Sequence, residues 1–338
     1  MNFPFYIAKR YLFSKKSHNA INVISAISVC GVALATLALV CTLSVFNGFQ
    51  DLVATFFTAF DPELKITAVT GKVFDGQEAR IEVTDLGGFA ASTFKRGIKY
   101  INVPTTLLAM VDASVGGKTG INFNGLKNEI GVFSPAESVL IDSEFLKSLD
   151  LHNLLSGYAE MLKHGLISTP EHWAELLNFD FNKTDYKALQ KLVAKSVQIK
   201  EKIVECDPYE TGIRKALNLG HTVGHAFESF ALEINHPVLH GYAVAWGMVC
   251  ELYFSHVKTG FPKDKLRQTL QFIKEHYGKL DFDCKHYDRL YEFMTHDKKN
   301  IADRINFTLL SDVGGIQINQ SATKEEIMDM LDFYRESM

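Results

Sequence analysis

The chain has 338 residues, enough for two domains of ordinary size. Hydrophobic residues make up 47% and charged residues 22%, the proportions of a globular protein rather than a disordered one. A net charge of −4 provides no overall basic field for nucleic acid. Cys30, Cys41, Cys206, Cys250 and Cys284 are scattered and include no Cys-x-x-Cys pair, which argues against a disulfide framework or a cysteine zinc site and fits a reducing compartment.

The first region runs from Met1 to about Gly76. Between Asn19 and Gln50 there is no acidic or basic residue, and Ile21–Phe46 is mostly Ile, Val, Leu, Ala and small polar residues. A run of that length can cross a hydrocarbon core of roughly 30 Å as a single transmembrane helix. Lys9, Arg10, Lys15 and Lys16 precede it, and Asp51, Asp61 and Glu63 follow it. That bias keeps the N-terminus cytoplasmic. The run exceeds the ~7–15 apolar residues of a signal peptide. It also lacks the polar face of an amphipathic core helix. Beyond it, Glu63–Val73 alternates weakly, as a strand would.

The second region, about Thr84 to Pro135, reads as a small α/β portion of short strands and Gly-rich loops. Asp85-Leu86-Gly87-Gly88 is turn-like. Tyr100–Val103 is a short strand ending at Pro104, and Val115–Gly120 is a tight loop. From Ala136 to the end the pattern is mainly α-helical. Apolar residues fall at helical spacing in Leu146–His164, Tyr186–Val204, Asn218–Leu232 and Tyr242–His256. Ile305–Leu310 and Ile316–Ile318 read as a hairpin, and Thr323-Lys324-Glu325-Glu326 is a capping box opening a last helix.

Several clusters could carry chemistry. His221 and His225, at i and i+4, share a helix face and suit a divalent metal, or else form a structural pair. Thr222 stands where a zincin would need its general-base Glu, which excludes that class. Glu160, Lys163 and His164 fall on one helix face, either as a ligand and an anion binder or as a solvated charged face. Gly116-Gly117-Lys118-Thr119 has the tail of a Walker A loop. Asp112 occupies the position of that loop's first Gly, so a P-loop is excluded. A dispersed set of cations, Arg96, Lys118, Lys127, Lys163, Lys200, Arg214 and Lys298, would suit a substrate with phosphate and carboxylate groups if it converged. No Gly-x-Gly-x-x-Gly fingerprint occurs.

Read together, these segments resemble the 3-dehydroquinate synthases. The likeness is carried by Thr84–Gly97, Val103–Asn122, Lys127–Phe133, Ser156–Gly165, Glu210–Glu228, His240–Met248 and Asp297–Lys299, in the family's order, and covers about Thr84 to Met338. The resemblance implies the dehydroquinate synthase-like fold. Its α/β remnant would cover 84–135, and its helical metal- and substrate-binding domain 136–338. It implies zinc or another divalent metal on Glu160, His221 and His240. It assigns His225 to the substrate, together with Asp112, Lys118, Asn128, Lys163, Lys200, Arg214, Asn218, Arg96 and Lys298. It assigns NAD to Asp85, Thr105, Thr106, Lys118, Lys127 and the run Phe145-Leu146-Lys147-Ser148. The implied reaction converts 3-deoxy-D-arabino-heptulosonate 7-phosphate to 3-dehydroquinate and phosphate, a carbon-oxygen lyase step of the shikimate pathway. A related sugar-phosphate cyclase is the neighbouring alternative, and the family allows a homodimer in the cytoplasm.

The front of the chain departs from that pattern. Where the family carries a Gly-Gly-Gly run, this chain has Arg80-Ile81-Glu82-Val83. Residues 1–76 instead resemble the N-terminus of lipoprotein-releasing ABC transporter permeases, through Phe5–Leu12 and Ser44–Phe49. The two resemblances imply a fusion, with membrane association through the first segment and weakened NAD affinity in the second. A non-catalytic, membrane-anchored fragment is the alternative from another functional class.

Overall fold

A computed structural model describes residues 3–12, 27–28, 31–32, 36, 82–123, 126–295 and 305–338. Met1–Glu63 and Leu64–Met338 form separate compact units. In the first, helix α1 (Phe3–Leu12) is described. The expected span Ile21–Phe46, apart from Ile27, Ser28, Gly31, Val32 and Thr36, and the expected strand Glu63–Val73 lie outside the described residues. Among the described residues, no helix is long and apolar enough to cross a membrane.

In the second unit the first described element is helix α2 (Glu82–Thr93). This corrects the turn expected at Asp85–Gly88: the glycines are absorbed into a helix, one of whose faces meets the next strand pair, with Gly88 against Thr119 and Tyr100. Three two-stranded sheets follow among the described residues. Strand β1 (Ile101–Asn102) pairs in parallel with β4 (Ser138–Val139). Strand β2 (Lys118–Phe123) pairs antiparallel with β3 (Leu126–Phe133). Near the C-terminus, β5 (Asn306–Leu310) and β6 (Ile316–Ser321) form the expected hairpin.

The rest is helical: α3 (Leu151–Leu166), α4 (Pro170–Leu177), α5 (Tyr186–Cys206), α6 (His221–Glu233), α7 (His240–Phe254), α8 (Lys263–Tyr277), α9 (Tyr287–Thr295) and α10 (Lys324–Ser337). Helix α3 starts later than the periodicity suggests. Ser143–Ser148 is a separate 3-10 turn, and the Asp150 side chain caps α3 by accepting from the Asn153 N–H at 2.9 Å. Helix α10 carries the expected capping box of Thr323 and Glu326.

Helix α7 is the centre of the core. It is apolar nearly all round, and Ala243, Val244, Ala245, Met248, Val249, Cys250 and Leu252 are fully buried. A helix of that character must be enclosed by others, here chiefly α3, α6, α8 and α10. Two glycines let it approach its neighbours backbone to backbone. A Cβ at Gly241 would lie 1.8 Å from the Ser156 carbonyl oxygen of α3. One at Gly247 would lie 2.0 Å from the Gly220 carbonyl oxygen at the start of α6.

The one buried acid of α7, Glu251, serves the same junction. Helix α6 is capped by Gly220, which has left-handed backbone and no side chain to satisfy the first N–H groups. Glu251 supplies the acceptors from the neighbouring helix, taking the Gly220 N–H at 2.6 Å and the Val223 N–H at 3.2 Å. Thr222 ties the same turn to β5 by donating to the Asn306 carbonyl at 3.0 Å.

These close approaches predict opposite outcomes for two Gly→Ala changes. In Gly247→Ala the methyl meets backbone atoms that cannot move aside, so overpacking of about 1–3 kcal/mol or more outweighs the helix-propensity gain of about 1 kcal/mol. In Gly87→Ala, exposed on α2 with nothing within 4 Å, propensity alone acts and stability rises by about 0.5–1 kcal/mol. Urea midpoints of the two variants should therefore move in opposite directions.

Candidate metal and substrate site

Helices α3, α6 and α7 bring three side chains to one point. Glu160, fully buried on α3, has Oε1 at 3.4 Å from His221 Nε2 and 3.7 Å from His240 Nε2. Its other oxygen, Oε2, accepts from the Lys163 ammonium one turn along the same helix. Both imidazoles have fixed tautomers. The His221 Nδ1 lies 3.1 Å from the Leu219 carbonyl oxygen, and the His240 Nδ1 lies 3.2 Å from Glu228 Oε2. A carbonyl or carboxylate oxygen accepts, so each Nδ1 is the donor, and in the neutral imidazole that leaves the Nε2 lone pair available to a metal. His225 closes the cluster, its ring 5.4 Å from that of His221 and 5.8 Å from that of His240. The three histidines offer ligand atoms within 4.8 Å of one another.

Two Nε2 atoms and one carboxylate oxygen thus lie close together. Glu160 Oε1 is buried and has no hydrogen-bond partner among the described residues, an arrangement that is costly when left so. Atoms each about 2.0–2.2 Å from a common tetrahedral ion stand about 3.3–3.5 Å apart, close to the 3.4 and 3.7 Å seen here. The residues present fit a divalent metal of the zinc type, which Glu160, His221 and His240 could hold, with His225 offering a further ligand atom nearby. Three protein donors leave a position for substrate.

A second, charged layer lies beside this point. The Lys200 ammonium, from α5, donates to both the backbone oxygen and Oδ1 of Asp112, each at 2.5 Å. Burial alone would raise the Asp112 carboxyl, but the Lys200 and Lys163 ammoniums outweigh it and hold it well below the usual carboxylate range. Burial pulls Lys200 below the usual ammonium value, opposed in part by Asp112. His164 is fully buried with neither ring nitrogen hydrogen-bonded among the described residues. Its pKa lies well below the ordinary value through desolvation first, then through the Lys163 and Lys200 charges. Asp112, Glu160 and His164 form another cluster of metal-type donors. Both of its carboxylates already hold ammonium groups, so a cation there would meet two positive charges.

The third element is the turn Pro208–Asn218. Asp207 organises it by accepting from the N–H groups of Thr211, Gly212 and Arg214 at 3.0, 2.7 and 3.0 Å. Glu210 is held at φ 59°, a strained backbone for a non-glycine residue. Its carboxylate receives Lys118 from β2 and Asn218 Nδ2, the latter at 2.8 Å. The Arg214 guanidinium donates to the carbonyls of Pro208 and Gly116 and lies over the Phe133 ring, 5.8 Å from its centre. Gly116 is favoured there by its φ of 115°, which L side chains rarely adopt, and a Cβ would also meet the Arg214 guanidinium at 2.6 Å.

The structure thus gathers Asp112, Glu160, Lys163, Lys200, His221, His225 and His240, and joins Lys118, Arg214 and Asn218 through one turn. The charged face expected at Glu160–His164 is buried, not solvated. Arg96 stands exposed in the short turn Phe94–Arg96, apart from the buried network. The side chains of Lys127 and Asn128 on β3, and Lys298 altogether, lie outside the described residues.

Asp85 sits on α2. Thr105 is exposed, and Thr106 Oγ1 accepts from the Ala109 N–H at 3.2 Å. In the 3-10 turn Ser143–Ser148, Leu146 is buried while Phe145, Lys147 and Ser148 are exposed. Glu210, Glu228 and Glu251 were not singled out from sequence. Glu210 and Glu228 bound the motif run that contains His221, which was the available signal. Glu251 carried none, lying in an otherwise apolar helix.

Residues 81–156 match the family model described as 3-dehydroquinate synthase N-terminal, and residues 157–300 match 3-dehydroquinate synthase C-terminal. A 3-dehydroquinate synthase of Parabacteroides distasonis is 62% identical over 255 residues, covering 75% of this chain and 72% of that one. One of Streptococcus thermophilus is 39% identical over 239 residues, covering 70% and 67%. Among solved structures, a 2-epi-5-epi-valiolone synthase from Streptomyces hygroscopicus, with NAD+ and Zn2+ bound, has a TM-score of 0.68 at 27% identity, covering 75% of this chain and 71% of that one. A 2-deoxy-scyllo-inosose synthase complexed with carbaglucose-6-phosphate, NAD+ and Co2+ has a TM-score of 0.63 at 25% identity, with the same coverage.

The buried His164 generates a pH prediction. Its folded-state pKa lies below the ordinary 6.5. As pH falls below 6.5, the unfolded chain therefore takes up a proton that the folded chain refuses, and stability falls with pH until the folded value is reached. One such proton contributes a slope of about 1.4 kcal/mol per pH unit. Because the unfolded imidazole is only half protonated at pH 6.5, unfolding free energies of His164→Gln should fall by about 1 kcal/mol less than those of the wild type between pH 6.5 and 5.5.

Proposed function

The chain belongs to the 3-dehydroquinate synthase family, and we propose that it acts as a carbon-oxygen lyase on 3-deoxy-D-arabino-heptulosonate 7-phosphate, releasing phosphate and forming 3-dehydroquinate. The observation that carries this reading is the convergence of Glu160 Oε1 with the Nε2 atoms of His221 and His240 beside two buried lysines. When bound, NAD and a divalent metal supply transient oxidation at the substrate's C5 hydroxyl and polarisation of that oxygen, the chemistry that makes the neighbouring C–H acidic.

The chain's own residues bind and orient. Glu160, His221 and His240 hold the metal. Lys163 and Lys200, already in a dry environment, present ammonium groups to an anionic substrate without first losing water. Asp112 keeps Lys200 in place. Arg214 and Lys118 extend the positive wall toward phosphate or carboxylate, with Arg96, Lys298 and Asn128 as further substrate contacts. Asn218 and His225 border the same space, and His225 stands close enough to the metal donors to move a proton at the reacting centre. Asp85, Thr105, Thr106, Lys118, Lys127 and the Phe145–Ser148 turn are the nicotinamide contacts.

Residues 84–135 then supply cofactor contacts, and 136–338 the metal and substrate. Relatives complexed with NAD+, Zn2+ or Co2+ support the cofactor assignment. For the first segment, the charge-free run Ile21–Phe46 behind four basic residues supports membrane attachment, and the short permease-like motifs support a fusion.

The test measures zinc content and phosphate release with NAD on the full chain. One zinc per chain is expected. His221→Ala and Glu160→Ala should each remove the metal and lower phosphate release by at least ~100-fold. A wild-type chain that binds no divalent metal would reject the reading.

A further inference from the structure

Helix α6 presents more than a metal donor to α7. His221, His225 and Glu228 are spaced i, i+4 and i+7, so they form one stripe. All three meet His240, the first residue of α7: two by ring contact and Glu228 through its carboxylate. Glu228 is 7% exposed, buried enough that its carboxylate needs a partner. The two histidines of the donor set are anchored differently. His221 Nδ1 meets a neutral backbone oxygen, whereas His240 Nδ1 meets a carboxylate. The backbone anchor of His221 belongs to its own chain turn and cannot be lost by substitution. The anchor of His240 reaches across from another helix and depends on one side chain.

Resting on the metal reading above, we propose that Glu228 is a positioning residue for the metal site: it holds the His240 ring so that Nε2 faces Glu160 Oε1, and its charge strengthens that nitrogen as a donor. The carboxylate of Glu228 is the hydrogen-bond partner given for His240 Nδ1, and it reaches that ring from a different helix. A carboxylate behind an imidazole both fixes the tautomer and raises ligand basicity.

The experiment measures zinc affinity by chelator competition, and the visible absorption of the cobalt-loaded protein, for wild type, Glu228→Ala and Glu228→Gln. Glu228→Ala should weaken zinc binding by about 10–100-fold and shift the cobalt bands. Glu228→Gln, which keeps an acceptor but loses the charge, should fall between Ala and wild type. A purely structural Glu228 would lower melting temperature while leaving zinc affinity and the cobalt spectrum at wild-type values, and that result overturns the proposal. If Glu228→Ala does not fold, Glu228→Gln decides: affinity equal to wild type overturns it, and weaker affinity upholds it. A wild-type chain without zinc affinity would instead reject the metal reading itself.

Discussion

The site depends on how closely helix α7 approaches two neighbours. Gly241 lies against the Ser156 carbonyl and Gly247 against the Gly220 carbonyl, at distances that leave no room for a methyl group. Ser156 is four residues before Glu160 on α3, Gly241 follows His240, and Gly220 precedes His221. Each contact therefore sits within about one helical turn of a donor. Closely packed interiors transmit small displacements rather than absorbing them, so the helix crossings and the donor geometry form one constraint. Glu251 belongs to it as well. It caps α6 from α7 and fixes the turn from which His221 projects.

The charged residues near the donors are a cost to the fold. Asp112, Lys200, Lys163 and Glu160 alternate in sign and are paired, yet taking such pairs out of water usually gains nothing over apolar packing. His164, buried and without a hydrogen bond among the described residues, adds to the cost. Apolar residues could fill this volume more cheaply. Ammonium groups held dry and already oriented are what an anion-binding site requires, so the expense falls where the substrate is proposed to sit. The strained Glu210 follows the same logic, as its φ of 59° places one carboxylate between Lys118 and Asn218.

Legibility from sequence followed the range of the interaction. Tyr186–Cys206 and the capped helix Lys324–Ser337 were visible because periodicity and capping are local. Helix α2 was misread because Gly87-Gly88 resembles a turn, while tertiary contact with Thr119 favours the helix. The pair Glu160–Lys163 was visible as neighbours on a helix, but its burial was not, since that depends on α7 and α5. Spacing alone pointed to His221 with His225. The donor that faces Glu160 together with His221 is His240, which lies beyond the end of α6 and was reached only through resemblance. Glu228 was in view within the motif, but its partner is another helix's first residue.

The two oxygens of Glu160 have separate tasks. Oε2 is taken by Lys163, a residue of the same helix, so its position is set when α3 forms. Only Oε1 is left without a hydrogen bond among the described residues, so in the proposed site Glu160 would be a single-oxygen donor. A carboxylate that bound through both oxygens would fill a coordination position that substrate needs. Lys163 thus bears on the proposed metal site through Glu160 without being a proposed donor itself. The same ammonium also borders the Lys200–Asp112 pair. Lys163, one turn from Glu160 on α3, therefore connects the proposed metal donor with the Lys200–Asp112 pair.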